Sequence, residues 1–228
     1  MQIQPLIEGQ YFHIYNRGVN SEDLFKEKKN YYYFLQQYIL YCSEALETYA
    51  YCLLKNHFHL LAYVKKNIEV PRKNGEGMFR LNASKQLSHF FNSYAQSINK
   101  MYDRTGPLFE SPFERKLIDN DSYLASAICY CHHNPQLHGF VNDFKDWEFS
   151  SYHAIIDNDN TFVSSQKVTD LFGGSTRFKE AHKMYLNNKD VGKFEIGCDK
   201  KNIYSFFHRR QGLEPLPGLH RRTYESDC

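Results

Sequence analysis

The sequence predicts an α+β fold: a ferredoxin-like sandwich with a central antiparallel sheet and helices packed on it, plus a C-terminal helical or irregular extension. Three observations predict it. Extended and helical patterns follow one another in the order strand, helix, strand, strand, helix, strand, helix. Two apolar runs flank Lys55-Asn56, which reads as a hairpin. A chain of 228 residues with 42% hydrophobic content can bury one compact core and still carry an appendage.

Each element has its own signal. Residues 10–17 are rich in β-formers and stop at Gly18, which makes the first strand. After a polar stretch, residues 28–43 repeat Tyr32, Leu35, Tyr38, Ile39 and Cys42 at helical spacing. Residues 48–64 hold the hairpin. Residues 65–77 are charged, contain Pro71, Gly75 and Gly77, and read as a surface loop. Residues 80–103 carry Leu81, Leu87, Phe90, Phe91, Tyr94, Ile98 and Met101, the longest helical pattern, broken by Gly106-Pro107. Residues 108–118 return as an extended segment. Asp121 or Ser122 caps a helix through Tyr130 that stops near Asn134-Pro135. Beyond residue 160 two short helices are expected, at 165–172 and 176–188, separated by Gly173-Gly174. The expected division is a domain over 1–155 and an extension over 156–228, ending in a polar, basic tail.

Composition narrows the function classes. The net charge is only +2, so bulk charge does not mark a nucleic-acid binder. Basic clusters are more informative: Lys65, Lys66, Arg72 and Lys73; Lys100, Arg104, Arg115 and Lys116; and Arg209, Arg210, Arg221 and Arg222. Each can track a phosphate backbone or simply face solvent. Aromatics at 16% suit both a packed sheet and stacking on unpaired bases. Six cysteines without a CxxC pair, no signal peptide and no apolar run long enough to span a membrane suggest a cytoplasmic protein with free thiols.

The chemistry centres on His57-Phe58-His59. Side chains alternate along a strand, so both imidazoles share one face and Phe58 takes the other. Two neutral imidazoles on one face form half of a divalent metal site, although two satisfied sheet histidines fit the same pattern. Tyr94 lies on the long helix among Phe90, Phe91 and Ile98, as a core tyrosine would. If helix and histidines share one sheet face, its hydroxyl reaches the pair. Tyrosine is a competent nucleophile for phosphodiesters beside a metal.

Several blocks together resemble the single-tyrosine transposases, in particular the REP-associated tyrosine transposases. The blocks are Phe12-His-Ile-Tyr-Asn-Arg-Gly18, Leu54-Lys-Asn-His-Phe-His-Leu-Leu61, the stretch from Ser93 to Phe109, Phe113-Glu-Arg-Lys116, Tyr130-Cys-His-His-Asn-Pro135 and Trp147-Glu-Phe-Ser-Ser-Tyr152. The resemblance covers residues 10–153. It implies Mg²⁺ or Mn²⁺ held by His57 and His59, and Tyr94 as nucleophile, giving a 5′-phosphotyrosine and a free 3′-hydroxyl. It also implies single-stranded or hairpin DNA as partner and a homodimer.

The family's third metal ligand is a polar side chain one turn beyond the nucleophile. Ile98 stands there, with Asn99 next to it and Gln96 before it, and Asn99 is the candidate ligand. Tyr102 is the alternative tyrosine on that helix. Arg17, Lys65, Lys66, Arg104, Arg115 and Lys116 are candidate nucleic-acid contacts. His132 and His133 read as packing residues at a helix end, and His13 as core or as a neighbour of the histidine strand. The leading expectation is a DNA nicking-and-joining enzyme. The alternative is a non-catalytic module that binds hairpin DNA or RNA.

Overall fold

The computed structural model describes residues 4–72, 76–158 and 162–187. Lys73, the arginines at 209, 210, 221 and 222, Cys198 and Cys228 lie outside them.

Strand β1 (Tyr11–Arg17) leads to helix α1 (Lys28–Cys42), then β2 (Leu46–Leu54) and β3 (His57–Val64). The stretch expected to be a loop contains two short strands, β4 (Glu69–Pro71) and β5 (Met78–Arg80), which pair as a separate antiparallel ribbon. Helix α2 (Ala83–Met101), strand β6 (Glu114–Ile118) and helix α3 (Asp121–Leu137) follow. Short α4 (Tyr152–Ile156), then α5 (Ser165–Phe172) and α6 (Ser175–Asn187), complete the described chain. Gly173, in the left-handed region at φ 77°, closes α5 and turns the chain into α6. Among the described residues no helix is long and apolar enough to cross a membrane.

The main sheet has the order β2-β3-β1-β6 with antiparallel neighbours throughout, the strand order of a ferredoxin-like sandwich. Helix starts are set by local polar groups. Asn82 accepts the Lys85 amide at the start of α2. Asn120 accepts the Tyr123 amide at the start of α3, so the cap is Asn120 rather than Asp121 or Ser122. Helix α3 also runs past Asn134-Pro135, with Pro135 inside it. A proline in the last turns costs the helix one backbone bond, and here Pro135 lies two residues before the last helical residue, Leu137.

The two sheet faces differ in chemistry. Helices α1 and α2 cover one face with aromatic rings: Phe34 and Phe91 lie 5.0 and 5.6 Å from Phe58. Helix α3 covers the other, where Cys131 Sγ comes within 4.0 Å of the His59 carbonyl. Helices α5 and α6 pack on the far side of α3, so α3 is buried from Leu124 to Pro135 apart from the half-exposed Tyr130.

A buried polar chain ties this third layer together. His182 Nδ1 donates to the Phe178 carbonyl at 2.8 Å, so its Nε2 accepts. His132 Nδ1 donates to that Nε2 at 2.8 Å, and Ser151 Oγ lies 2.8 Å from His132 Nε2. Both rings are therefore neutral. Burial holds His132 well below the ordinary imidazole value of 6.5, and pushes His182 down to about 3.

The unfolded chain takes up protons below pH 6.5, while the folded His132 and His182 do not. Stability present above that pH is lost as pH falls toward the folded values, by about 1.4 kcal/mol per pH unit per histidine at most. Urea unfolding between pH 7 and 4 should show this decline. His182→Gln should start less stable at pH 7 and decline less steeply; an identical slope would remove His182 as a cause.

Candidate active site

The register of β3 fixes the site. His57 pairs with Arg17 of β1 and Leu54 of β2, and His59 with Tyr15 and Cys52. Directly opposed residues share a face, so His57 and His59 project toward α3 together with Tyr15, His13 and Arg17. Phe58 enters the aromatic layer under α1 and α2.

That alternation overturns the placement of Tyr94. Tyr94 lies on α2, against the opposite face, with its ring 5.0 Å from Phe34 and 6.0 Å from Phe109. It is fully buried, and its hydroxyl donates to the Leu24 carbonyl at 2.8 Å. Burial pushes the phenol pKa up, away from a usable phenolate. Ile98, one turn on, is core. Asn99 is not near the histidines either: its amide donates to the Gly106 carbonyl and its oxygen accepts from Arg104, closing the turn after α2. Tyr102 bonds Glu27 and Asn30 at the start of α1.

The group that does face the histidines comes from α3. The half-buried Tyr130 ring lies 5.6 Å from His59 and 6.3 Å from His13. Asn134 is four residues further on, and so stands on the same helix face. Its Nδ2 donates to the Tyr130 carbonyl at 2.8 Å, which leaves Oδ1 as the open acceptor. Among the described residues, Asn134 Oδ1 and His59 Nε2 are both buried and neither meets a hydrogen-bond partner. Asn134 lies near enough to His59 to favour its charged form slightly, without a well-formed bond between them.

The histidines are kept neutral. Desolvation is the main cause for His59, which lies well below the ordinary range, with His13, His57 and His138 adding repulsion. Desolvation likewise takes His57 down to about 4, with His138 and Arg17 contributing. His57 Nδ1 is 2.8 Å from Asn56 Oδ1 and so donates to it, which leaves its Nε2 as a lone pair. The His138 ring stands 5.0 Å from His57 at the exposed end of α3. Two neutral imidazoles, an open amide oxygen and a neighbouring phenol form a donor set that a hard-to-borderline divalent cation accepts.

The expected basic residues divide. Lys116 pairs with His13 across β1 and β6, on the histidine face. Arg17 is on that face, exposed and bonded to Glu110. Arg115 points the other way: its guanidinium lies 3.8 Å over the Phe113 ring in the α2 layer. Arg104 braces Asn99 and Glu22. Lys65 donates to the Ser43 carbonyl, and with Lys66 it follows the far end of β3, roughly 26 Å along the strand from His57.

Tyr130 and Asn134 both fall in the block Tyr130-Cys-His-His-Asn-Pro135, which carries the resemblance, but the resemblance gives neither a role. The available signal was spacing. A tyrosine with a polar side chain one turn later is satisfied by Tyr130 and Asn134 and broken by Tyr94 and Ile98.

Fold and site together define a ferredoxin-like sandwich that presents a histidine pair to a tyrosine-and-asparagine helix. The comparisons with known proteins agree with that fold. Over 111 residues the chain is 32% identical to a Haemophilus influenzae protein named as a REP-associated tyrosine transposase. That match spans 47% of this chain and 59% of the relative's length. The fold resembles the solved structure of a REP-associated tyrosine transposase bound to a REP hairpin, with a TM-score of 0.53 and 14% identity over 69% of this chain and 85% of that one. No family model matches. The chain is thus similar in sequence to one protein named as a REP-associated tyrosine transposase and similar in fold to another.

Because the sheet separates Tyr94 from the histidines, Tyr94→Phe should be a stability change alone. It leaves the Leu24 carbonyl without its donor and should cost about 1–3 kcal/mol, read from the urea midpoint. The imidazole resonances of His57 and His59 should not move; a shift would place Tyr94 in the site after all.

Proposed function

We propose that the chain is a metal-dependent DNA nicking-and-joining enzyme of the tyrosine transposase type, with Tyr130 as nucleophile. The observation that carries this reading is the pair of buried polar atoms without a partner, His59 Nε2 and Asn134 Oδ1, beside the α3 tyrosine whose ring lies 5.6 Å from His59. A buried polar atom without a partner costs free energy, and a cation bound by His57, His59 and Asn134 would remove that cost. Mg²⁺ or Mn²⁺ bound there would polarise a phosphate oxygen and offset its developing charge.

Tyr130 Oη attacks the phosphorus of a DNA phosphodiester. The new Oη–P bond forms as the P–O3′ bond breaks, giving a 5′-phosphotyrosine. The phenol proton leaves to solvent and the departing 3′-oxygen is protonated to a hydroxyl. Rejoining runs the same steps backward without ATP, because the phosphotyrosine keeps the bond energy. Lys116 and Arg17, on the histidine face, can hold the flanking phosphates. The solved neighbour is bound to a REP hairpin, which favours hairpin or single-stranded DNA as this chain's partner.

Tyr15 also faces the histidines, 6.1 Å from His59. Tyr130 is preferred because Asn134 shares its helix face. The test is a covalent-capture assay with labelled hairpin DNA, with and without Mn²⁺, on a denaturing gel. Wild type, Tyr94→Phe and Tyr15→Phe should give a metal-dependent covalent band and Tyr130→Phe none. A band that survives in Tyr130→Phe rejects that nucleophile. A native-gel shift with no covalent band in any protein would make the chain a hairpin-binding module. Asn134→Ala should weaken Mn²⁺ binding by at least the roughly 10–100-fold typical of an outer-shell change.

A further inference from the structure

We propose that Tyr15 is a stacking platform for one unpaired base of the DNA strand, beside the phosphate presented to His57, His59 and Tyr130. This role rests on the nicking-and-joining reading for the position of that phosphate.

The Cα partners of Tyr15 are His59 on β3 and Glu114 on β6. Its ring therefore stands one strand over from His59, on the histidine face. It is half-buried, 6.1 Å from the His59 ring and 4.8 Å from the His13 ring. The Tyr130 ring comes from α3 to 6.3 Å from the same His13. Both tyrosines thus border one imidazole, and a strand whose phosphate reaches Tyr130 has an adjacent base within reach of Tyr15.

The ring is not built into the core as the other tyrosines are. Tyr94 and Tyr38 are fully buried, and each hydroxyl has a hydrogen-bond partner at 2.8 and 2.9 Å. The Tyr15 hydroxyl meets none among the described residues. Burial and the Glu114 carboxylate hold its proton on, so the ring acts through its π face and not as a second nucleophile.

The neighbouring charges sort a base from a phosphate. Glu114, exposed and directly opposite Tyr15, repels a phosphate. Lys116 on β6 and Arg17 on β1 share the histidine face, each two residues or about 7 Å along its strand. The Arg17 ion pair with Glu110 is exposed on both sides and weak enough to be exchanged for a phosphate. Phosphates follow the two cations, and an uncharged base covers the ring between them. Tyr15 has few torsions to lose and already rests against His13, so ordering it on binding costs little.

The test reads affinity without cleavage, in the absence of divalent metal. The hairpin DNA of the capture assay is used with its single-stranded flanks or trimmed to a blunt stem. Tyr15→Ala should bind the flanked hairpin about 5–150-fold more weakly, the range that one stacked base supplies, and the blunt one as wild type does. Tyr15→Phe, which keeps the ring, should bind both as wild type does. An abasic scan of the flanks with wild-type protein should find one position with a comparable loss. Combining that abasic site with Tyr15→Ala should add nothing further. Flanks that do not tighten wild-type binding, an unchanged affinity in Tyr15→Ala, an equal loss on both hairpins, or losses that add would each overturn the proposal. If Tyr15→Ala does not fold, Tyr15→Leu, which keeps apolar bulk without a ring, takes its place. The two readings fail separately. A flank-specific loss in a protein that gives no covalent band keeps the stacking role and removes the enzyme. A covalent band with flank affinity unchanged in Tyr15→Ala keeps the enzyme and removes the stacking role.

Discussion

The alternation of side chains along β3 is the constraint on which the site depends. This strand is central, paired with β2 on one side and β1 on the other along its length. Both faces of the sheet are covered, so every β3 residue belongs to one of two different interiors. Phe58 belongs to a layer of phenylalanines. His57 and His59 belong to a layer of histidines, cysteines and an asparagine. A shift of one residue in register would put two imidazoles among phenylalanine rings and a phenylalanine against α3. Neither interior can absorb that exchange, so the same pattern that buries the core also aims the histidines. It also keeps the α1 and α2 side chains, Tyr94 among them, on the opposite side of the sheet from the histidines.

The histidine layer remains stable because its charges are removed and its protons are shared. His132, His182 and Ser151 pass single protons along a chain in which each ring nitrogen has a partner. His59 differs. One nitrogen is tied to His13 and the other meets nothing, and Asn134 faces it with an unused oxygen. His133 Nε2 also lacks a hydrogen-bond partner, but it is enclosed by the rings of Phe144, His182 and Tyr185. The contrast separates histidines that hold the layer together from those shaped to receive something. Burial alone does not separate them, since it depresses the basicity of both kinds.

Much of the fold was legible because its signals are local. The apolar spacing of α1 and α2, the turn at Lys55-Asn56 and the break at Gly173-Gly174 lie within a few residues of the elements they define. The small ribbon of β4 and β5 was not legible, since short charged strands carry no apolar alternation. Helix α3 was cut short by the usual reading of proline. The larger miss was the face on which each helix lies. Leu87, Phe90, Phe91, Tyr94 and Ile98 form an apolar stripe that shows α2 packs on something, but a stripe does not say which side of a sheet it covers. Tyr94 sat in the middle of that stripe, and the stripe was the better guide to its role. Tyr130 was obscured for the opposite reason. Helix α3 is buried nearly all round and shows little amphipathic contrast, so its polar residues looked like packing.

Burial all round is also what makes α3 suitable for presenting a site. At 100° per residue, Tyr130 and Asn134 point nearly together, while His132 points about 200° away. The first pair faces the sheet histidines, and His132 faces α6 through His182 and Phe178. The helix is thus fixed from behind by a hydrogen bond and a ring contact, and in front it offers a phenol and an amide. A helix free to roll by even a few tens of degrees would carry Asn134 Oδ1 away from His59 Nε2, because a side-chain tip lies several ångströms from the axis. Residues 165–187 include none of the groups that face His57 and His59, yet they restrain that rotation. The helices beyond residue 160 therefore belong to the physical basis of the site even though they supply none of its chemistry.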